Sequence, residues 1–90
     1  MSKPKHPVSV EGYNGSLEDL AKAAGNMRYD CTAEFIEKLA DDIKRQADSD
    51  SAKGRARLAE RLYFTAQELY RARDKLLSAW EICKPYMEEE

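Results

Sequence analysis

Leu58, Leu62, Thr65, Leu69, Ala72, Leu76, Ala79 and Cys83 follow one another at alternating steps of four and three residues. Held for more than three heptads, that alternation requires a long helix with one apolar stripe, and it constrains the chain more than any other feature. The pattern predicts a helix from about residue 55 to residue 83, roughly 43 Å long at 1.5 Å per residue. Ala66, Trp80 and Met87 fall close to the stripe, with Ala59 and Leu77 at its margin. Arg73 interrupts it. The arginine stem can carry the charge out to solvent, or the guanidinium pairs with a carboxylate from another helix or another chain. Phe64 and Ile82 share a meridian on the opposite, polar side, either as solitary surface hydrophobes or as contacts for the arm, the first helix or a partner.

Before this helix, Phe35, Ile36, Leu39, Ala40, Ile43 and Ala47 define a second apolar stripe of helical period. A helix beginning near Tyr29-Asp30, with Asp30 as N-cap, and running to about Asp48 is predicted. The run Asp48-Ser49-Asp50-Ser51 is expected to stop it, because such side chains compete for backbone hydrogen bonds. Glu34 with Lys38 and Asp41 with Arg45 stand at helical spacing and read as solvated surface pairs. A third, short helix is predicted from Ser16, where Ser16 caps, Glu18 and Asp19 fill the first turn, and Gly25 closes it in a left-handed conformation. Residues 1–15 contain Pro4, Pro7, Gly12 and Gly15 and read as a flexible arm. The expected organisation is thus an arm over 1–15, a helical domain over 16–87 and an acidic tail over 88–90.

Size limits what these helices can do alone. The chain has 90 residues, and 12 of its 38 apolar residues are alanine, so few large side chains remain for a core. The fold expected is all-α: a short helix beside a long antiparallel hairpin, completed by dimerisation into a helical bundle. The predicted second helix, about 28 Å long, is too short to cover the far end of the third. Leu69, Arg73, Leu76, Leu77, Trp80, Cys83 and Met87 are therefore the expected interface, with Trp80 as an exposed anchor.

Charge is divided along the chain. Residues 16–50 carry a net −4 and residues 51–87 a net +4, within a total of −2. The split favours the two halves lying against each other or against their mates in a second chain. It also collects Lys53, Arg55, Arg57 and Arg61 at the start of the third helix, a possible patch for an acidic partner.

Few residues are arranged for chemistry. His6 is the sole histidine and lies in the arm, so the Glu-x-x-His element of a di-iron bundle is missing. Glu34, Glu37 and Asp41 form a row without further hard ligands, and Cys31 and Cys83 have neither a C-x-x-C mate nor a nearby histidine. There is no Gly-rich phosphate loop and no G-x-S-x-G. No catalysis and no cofactor are expected. Two cysteines, no apolar run of membrane-spanning length and no leader-like start point to a reducing cytoplasm. The leading expectation is a small protein–protein interaction module, an adaptor, regulator or inhibitor, that pairs with itself, with another protein as the second candidate partner. The alternative is a small DNA- or RNA-binding regulator. Leu20-Ala21 followed by Ala24-Gly25 resembles the first helix and turn of a helix-turn-helix, with the basic cluster nearby. Asp30, Glu34 and Glu37 oppose that alternative, since they stand where phosphates would approach.

Overall fold

A computed structural model describes residues 6–87 of the chain. Three helices appear in order: α1 (Leu17–Gly25), α2 (Tyr29–Ala52) and α3 (Ala56–Met87). No strand occurs among the described residues, so the chain is all-α. The acidic tail 88–90 and the first five residues of the arm lie outside the described residues.

The start of α1 follows the sequence closely. Ser16 accepts a hydrogen bond from the Asp19 amide at 3.0 Å, and the Asp19 carboxylate accepts from the Ser16 amide, a reciprocal capping box. Its end differs: Gly25 is the last helical residue rather than a left-handed one, and Asn26 caps with right-handed angles.

The end of α2 also departs from expectation. Side chains at 48–51 do not stop the helix, which continues to Ala52. Gly54 stops it instead, at φ +79°, a left-handed conformation open to glycine at no steric cost. The Gly54 amide donates to the Ser51 carbonyl and the Arg55 amide to the Asp50 carbonyl, the paired bonds of a Schellman motif. Such motifs usually add an apolar contact, whereas here Arg55 and Asp50 form an ion pair at 3.1 Å. Asp50 is thereby held by Arg55 and does not compete with the helix backbone. The helix start is moved as well: Arg28, not Asp30, is the N-cap residue, and its side chain makes no capping bond. Its guanidinium holds the Asp30 carboxylate through two bonds of 2.8 Å.

α3 starts one residue after the predicted position and runs through Pro85 to Met87. At 32 residues it is about 48 Å long, against about 36 Å for the 24 residues of α2. The two pack as an antiparallel hairpin, while α1 touches only α2. The Thr32 hydroxyl donates to the Ala24 carbonyl at 2.7 Å and ties the end of α1 to the first turns of α2.

The hairpin buries alanine and little else. Ala33, Ala40 and Ala47 of α2 and Ala59 and Ala66 of α3 are the fully buried apolar residues, and no large side chain joins them. Each set repeats at seven residues, so small side chains interleave along the seam and the helices can approach closely. The seam continues along α3 through Arg73 and Trp80, both half-buried. The stripe read from sequence is therefore displaced. Leu62, Leu69, Leu76 and Cys83 border the seam, while Leu58 is 48% exposed and Thr65 is exposed.

Candidate interaction surface

The seam at Ala33, Ala40 and Ala47 against Ala59 and Ala66 divides the hairpin into two flanks of opposite character. One flank is polar. Tyr63 donates its hydroxyl to Asp48 and Tyr70 to Asp41, and Arg73 donates to Glu37 at 2.6 Å. These three cross-links set the register: residues whose numbers add to 110 or 111 lie level on the two helices. Of the two routes open to Arg73, the structure takes the carboxylate from the second helix, with Asp74 as a further partner at 3.0 Å. The Arg73 guanidinium also lies 5.0 Å from the Tyr70 ring centroid. The Asp48 and Asp41 carboxylates hold the Tyr63 and Tyr70 hydroxyls protonated, which raises both phenols above their usual range. Glu34, Glu60 and Glu81 share this flank by heptad position, with Lys44 and Lys84 among them, so it is acidic on balance.

The second flank is largely apolar and partly open: Thr32, one heptad before Leu39, carries the end of α1, and His6 lines a groove with Gln46 and Leu58 near the hairpin turn. From α2 it presents Phe35, Ile36, Leu39 and Ile43; from α3, Leu58, Leu62, Leu69, Leu76, Ala72, Ala79 and Cys83. Phe35 is 44% exposed and Leu39 41%, and the larger α3 residues besides Leu58 are half-buried. The heptad of the sequence is real, but it points across this open side more than at α2. Asp41 and Arg45 do not pair as predicted, because Asp41 is engaged by Tyr70 and Arg45 bonds Asp42 at 2.9 Å. Arg45 and Gln46 together hold the Asp42 carboxyl below its usual range.

The predicted interface residues separate onto different surfaces. Leu69, Leu76 and Cys83 belong to the open flank, Arg73 and Trp80 to the seam, and Leu77 to the acidic flank. Met87 lies on the α3 overhang, 44% exposed. Trp80 corrects an expectation: it is half-buried, with the Arg28 guanidinium 5.1 Å from its ring centroid. α2 reaches the level of Trp80, since Asp30 and position 80 share a height. The bare overhang is the last turn and a half, where Ile82 and Tyr86 are well exposed. The role of Arg28 could not be read from periodicity, because Arg28 precedes the helix and meets Trp80 only after the hairpin closes.

The four basic residues do not form one patch. Lys53 and Arg55 line a shallow groove at the hairpin turn with His6, Arg45, Asp50 and Leu58. Arg57 and Arg61 stand exposed on the outer side of α3, and neither makes a salt bridge among the described residues. The start of α2, where a helix-turn-helix would present its recognition helix, is tied to Trp80 by Arg28.

Among the described residues, no three His, Cys, Asp or Glu side chains are grouped to hold a metal ion, and no helix is long and apolar enough to cross a membrane. Cys31 and Cys83 are free thiols. Comparison with protein-family models, curated proteins and solved structures finds no match.

Proposed function

We propose that this chain is a small, non-catalytic protein–protein interaction module, an adaptor, regulator or inhibitor, that acts as a cytoplasmic homodimer. One observation carries the reading: the two-helix hairpin fully buries no large side chain and leaves an apolar face on its outside. The Cα framework is elongated, 52 × 29 × 13 Å. Its radius of gyration of 16.3 Å exceeds the roughly 12 Å of a compact 90-residue domain. Domains are stable when packed layers enclose a core, and this hairpin encloses no large side chain fully. A second protein surface must complete the core. The free thiols are compatible with a reducing compartment.

The test is the mass in solution. Light scattering behind size exclusion, at around 100 μM because self-association follows mass action, is expected to give about 21 kDa, twice the 10.3 kDa chain. A stably folded species at the chain mass overturns the homodimer.

A further inference from the structure

We infer that a second copy of this chain covers the open flank about a two-fold axis parallel to the hairpin, so that each α2 lies on the other copy's α3. The inference rests on the homodimer proposed above and adds its face and its symmetry. The first support is area. The chain exposes 7396 Å², whereas a compact monomer of this mass exposes about 5,400 Å². The irregular arm and α1, which packs only on α2, account for part of that excess. About half of it, on the order of 1,000 Å² per chain, is what a stable homodimer removes.

The second support is size. Phe35 and Leu39 are the bulky, exposed residues on the α2 side of the flank, whereas the outer row of α3, beyond Leu58 near the hairpin turn, is small at Thr65, Ala72 and Ala79. An axis parallel to the helices preserves height, so the register of the Tyr70–Asp41 and Arg73–Glu37 links applies between copies too. Leu39 then stands level with Ala72 of the second copy, and Phe35 midway between its Ala72 and Ala79. Large residues enter the spaces beside small ones, the knobs-into-holes arrangement of a four-helix bundle. An axis perpendicular to the helices sets α2 on α2 and α3 on α3, bulk against bulk and gap against gap. It also brings the basic outer edges of the two α3 helices together, where Arg57, Arg61 and Lys75 stand. The parallel axis keeps those edges on opposite sides of the bundle.

The test uses full-length chains in which Cys31→Ser and Cys83→Ala remove the native thiols. One chain carries Leu39→Cys and the other Ala72→Cys; they are unfolded together, refolded and treated with a short linker that bridges two thiols. Circular dichroism and light scattering first establish that each chain is helical, and record its mass. The expected result is several-fold more cross-linked dimer from the mixture than from either chain alone. Cross-linking of the Leu39→Cys chain with itself, without gain on mixing, overturns the parallel axis. A mass near 21 kDa with no cross-link in any combination overturns the face while the homodimer stands. A helical chain at the monomer mass, in the variants and the parent alike, overturns both.

Discussion

The two flanks of the hairpin use the same helices and the same heptad, yet solve opposite problems. On the acidic flank the chain completes its own contacts: Tyr63 with Asp48, Tyr70 with Asp41 and Arg73 with Glu37 link α3 to α2 by directional bonds. On the open flank Phe35, Leu39 and Leu58 have nothing of that kind and remain over 40% exposed. Directional bonds fix register within one chain, whereas apolar surface drives association and does so with any surface that fits. The contrast assigns alignment of the hairpin to one flank and leaves the apolar surface of the other for the pairing proposed above.

The largest effect that can break this contrast comes from Leu69→Ala on the open flank. In a lone hairpin Leu69 is half-buried, and its truncation costs about 1 kcal/mol. If another surface covers it, the cost rises to about 2–5 kcal/mol per chain, the range for a buried leucine. We expect the larger value, with a Tm that falls on dilution, since folding and pairing are then one equilibrium. Thermal melts at two concentrations read both. A loss near 1 kcal/mol with a concentration-independent Tm shows a flank that nothing covers.

Much of this architecture was legible in the sequence, and what was not has a physical cause. The capping box at Ser16 and Asp19 is local chemistry and appears as predicted. The helical periods around Leu39 and Leu69 fix two long helices, and the absence of a second stripe on either makes a hairpin the simplest pairing. The seam itself was misplaced because apolarity is a poor guide to burial here. Ala40 and Ala66 are weak hydrophobes and mark the tightest contact, while the strongest apolar row marks the side left open. The end of α2 was set by one backbone conformation at Gly54, against side-chain signals at 48–51 that Arg55 neutralises. The acidic flank was hidden in charge totals: most acids of the two helices gather on one side, although Asp42, Asp50 and Glu68 do not, so the sequence halves describe the surface less well than the flanks do.

A smaller effect sharpens the same contrast at the seam. Ala40 is fully buried between the helices, and Ala40→Leu is expected to cost about 1–3 kcal/mol by forcing them apart. Ala72→Leu adds the same bulk on the open flank, where the isolated hairpin has room for it. It is expected to leave helix content unchanged and to lower the dimer fraction. Circular dichroism and light scattering on the two variants separate these outcomes; equal loss of helix content from both would erase the distinction between seam and flank.

Smaller still is the dependence on pH, which belongs to the acidic flank. The Tyr63 and Tyr70 phenols are raised in the folded chain by their Asp48 and Asp41 partners. Their contribution is complete below the unfolded phenol value of about 10 and is lost as pH rises through the folded values. Asp30 moves the other way, lowered by Arg28, so its contribution is present above an unfolded value of about 4 and lost as pH falls through the folded one. Stability is expected to be level between these limits and to fall outside them. In Tyr63→Phe/Tyr70→Phe the alkaline fall is expected to shrink while the acid fall stays. Chemical denaturation across pH measures both arms, and an unchanged alkaline arm removes the tyrosine ladder from the alignment of the hairpin.

The smallest expected effect is none, and it bears on the outer edge of α3 where the two flanks end. Arg57 and Arg61 are exposed and unpaired among the described residues, so Arg57→Gln/Arg61→Gln should change stability by no more than about 0.5 kcal/mol per site. Arg55 is left in place because its bond to Asp50 belongs to the turn of the hairpin. For a protein-interaction module the double variant should also behave as the parent does toward duplex DNA or RNA, with no submicromolar binding near physiological salt. Nucleic acid held through phosphates would instead give an affinity that falls steeply with salt and a slope reduced by roughly one for each arginine removed. Fluorescence anisotropy with a labelled duplex at two salt concentrations decides the matter. Tight, salt-dependent binding by the parent, weakened in the double variant, would make α3 a nucleic-acid helix and leave the open flank as its means of pairing.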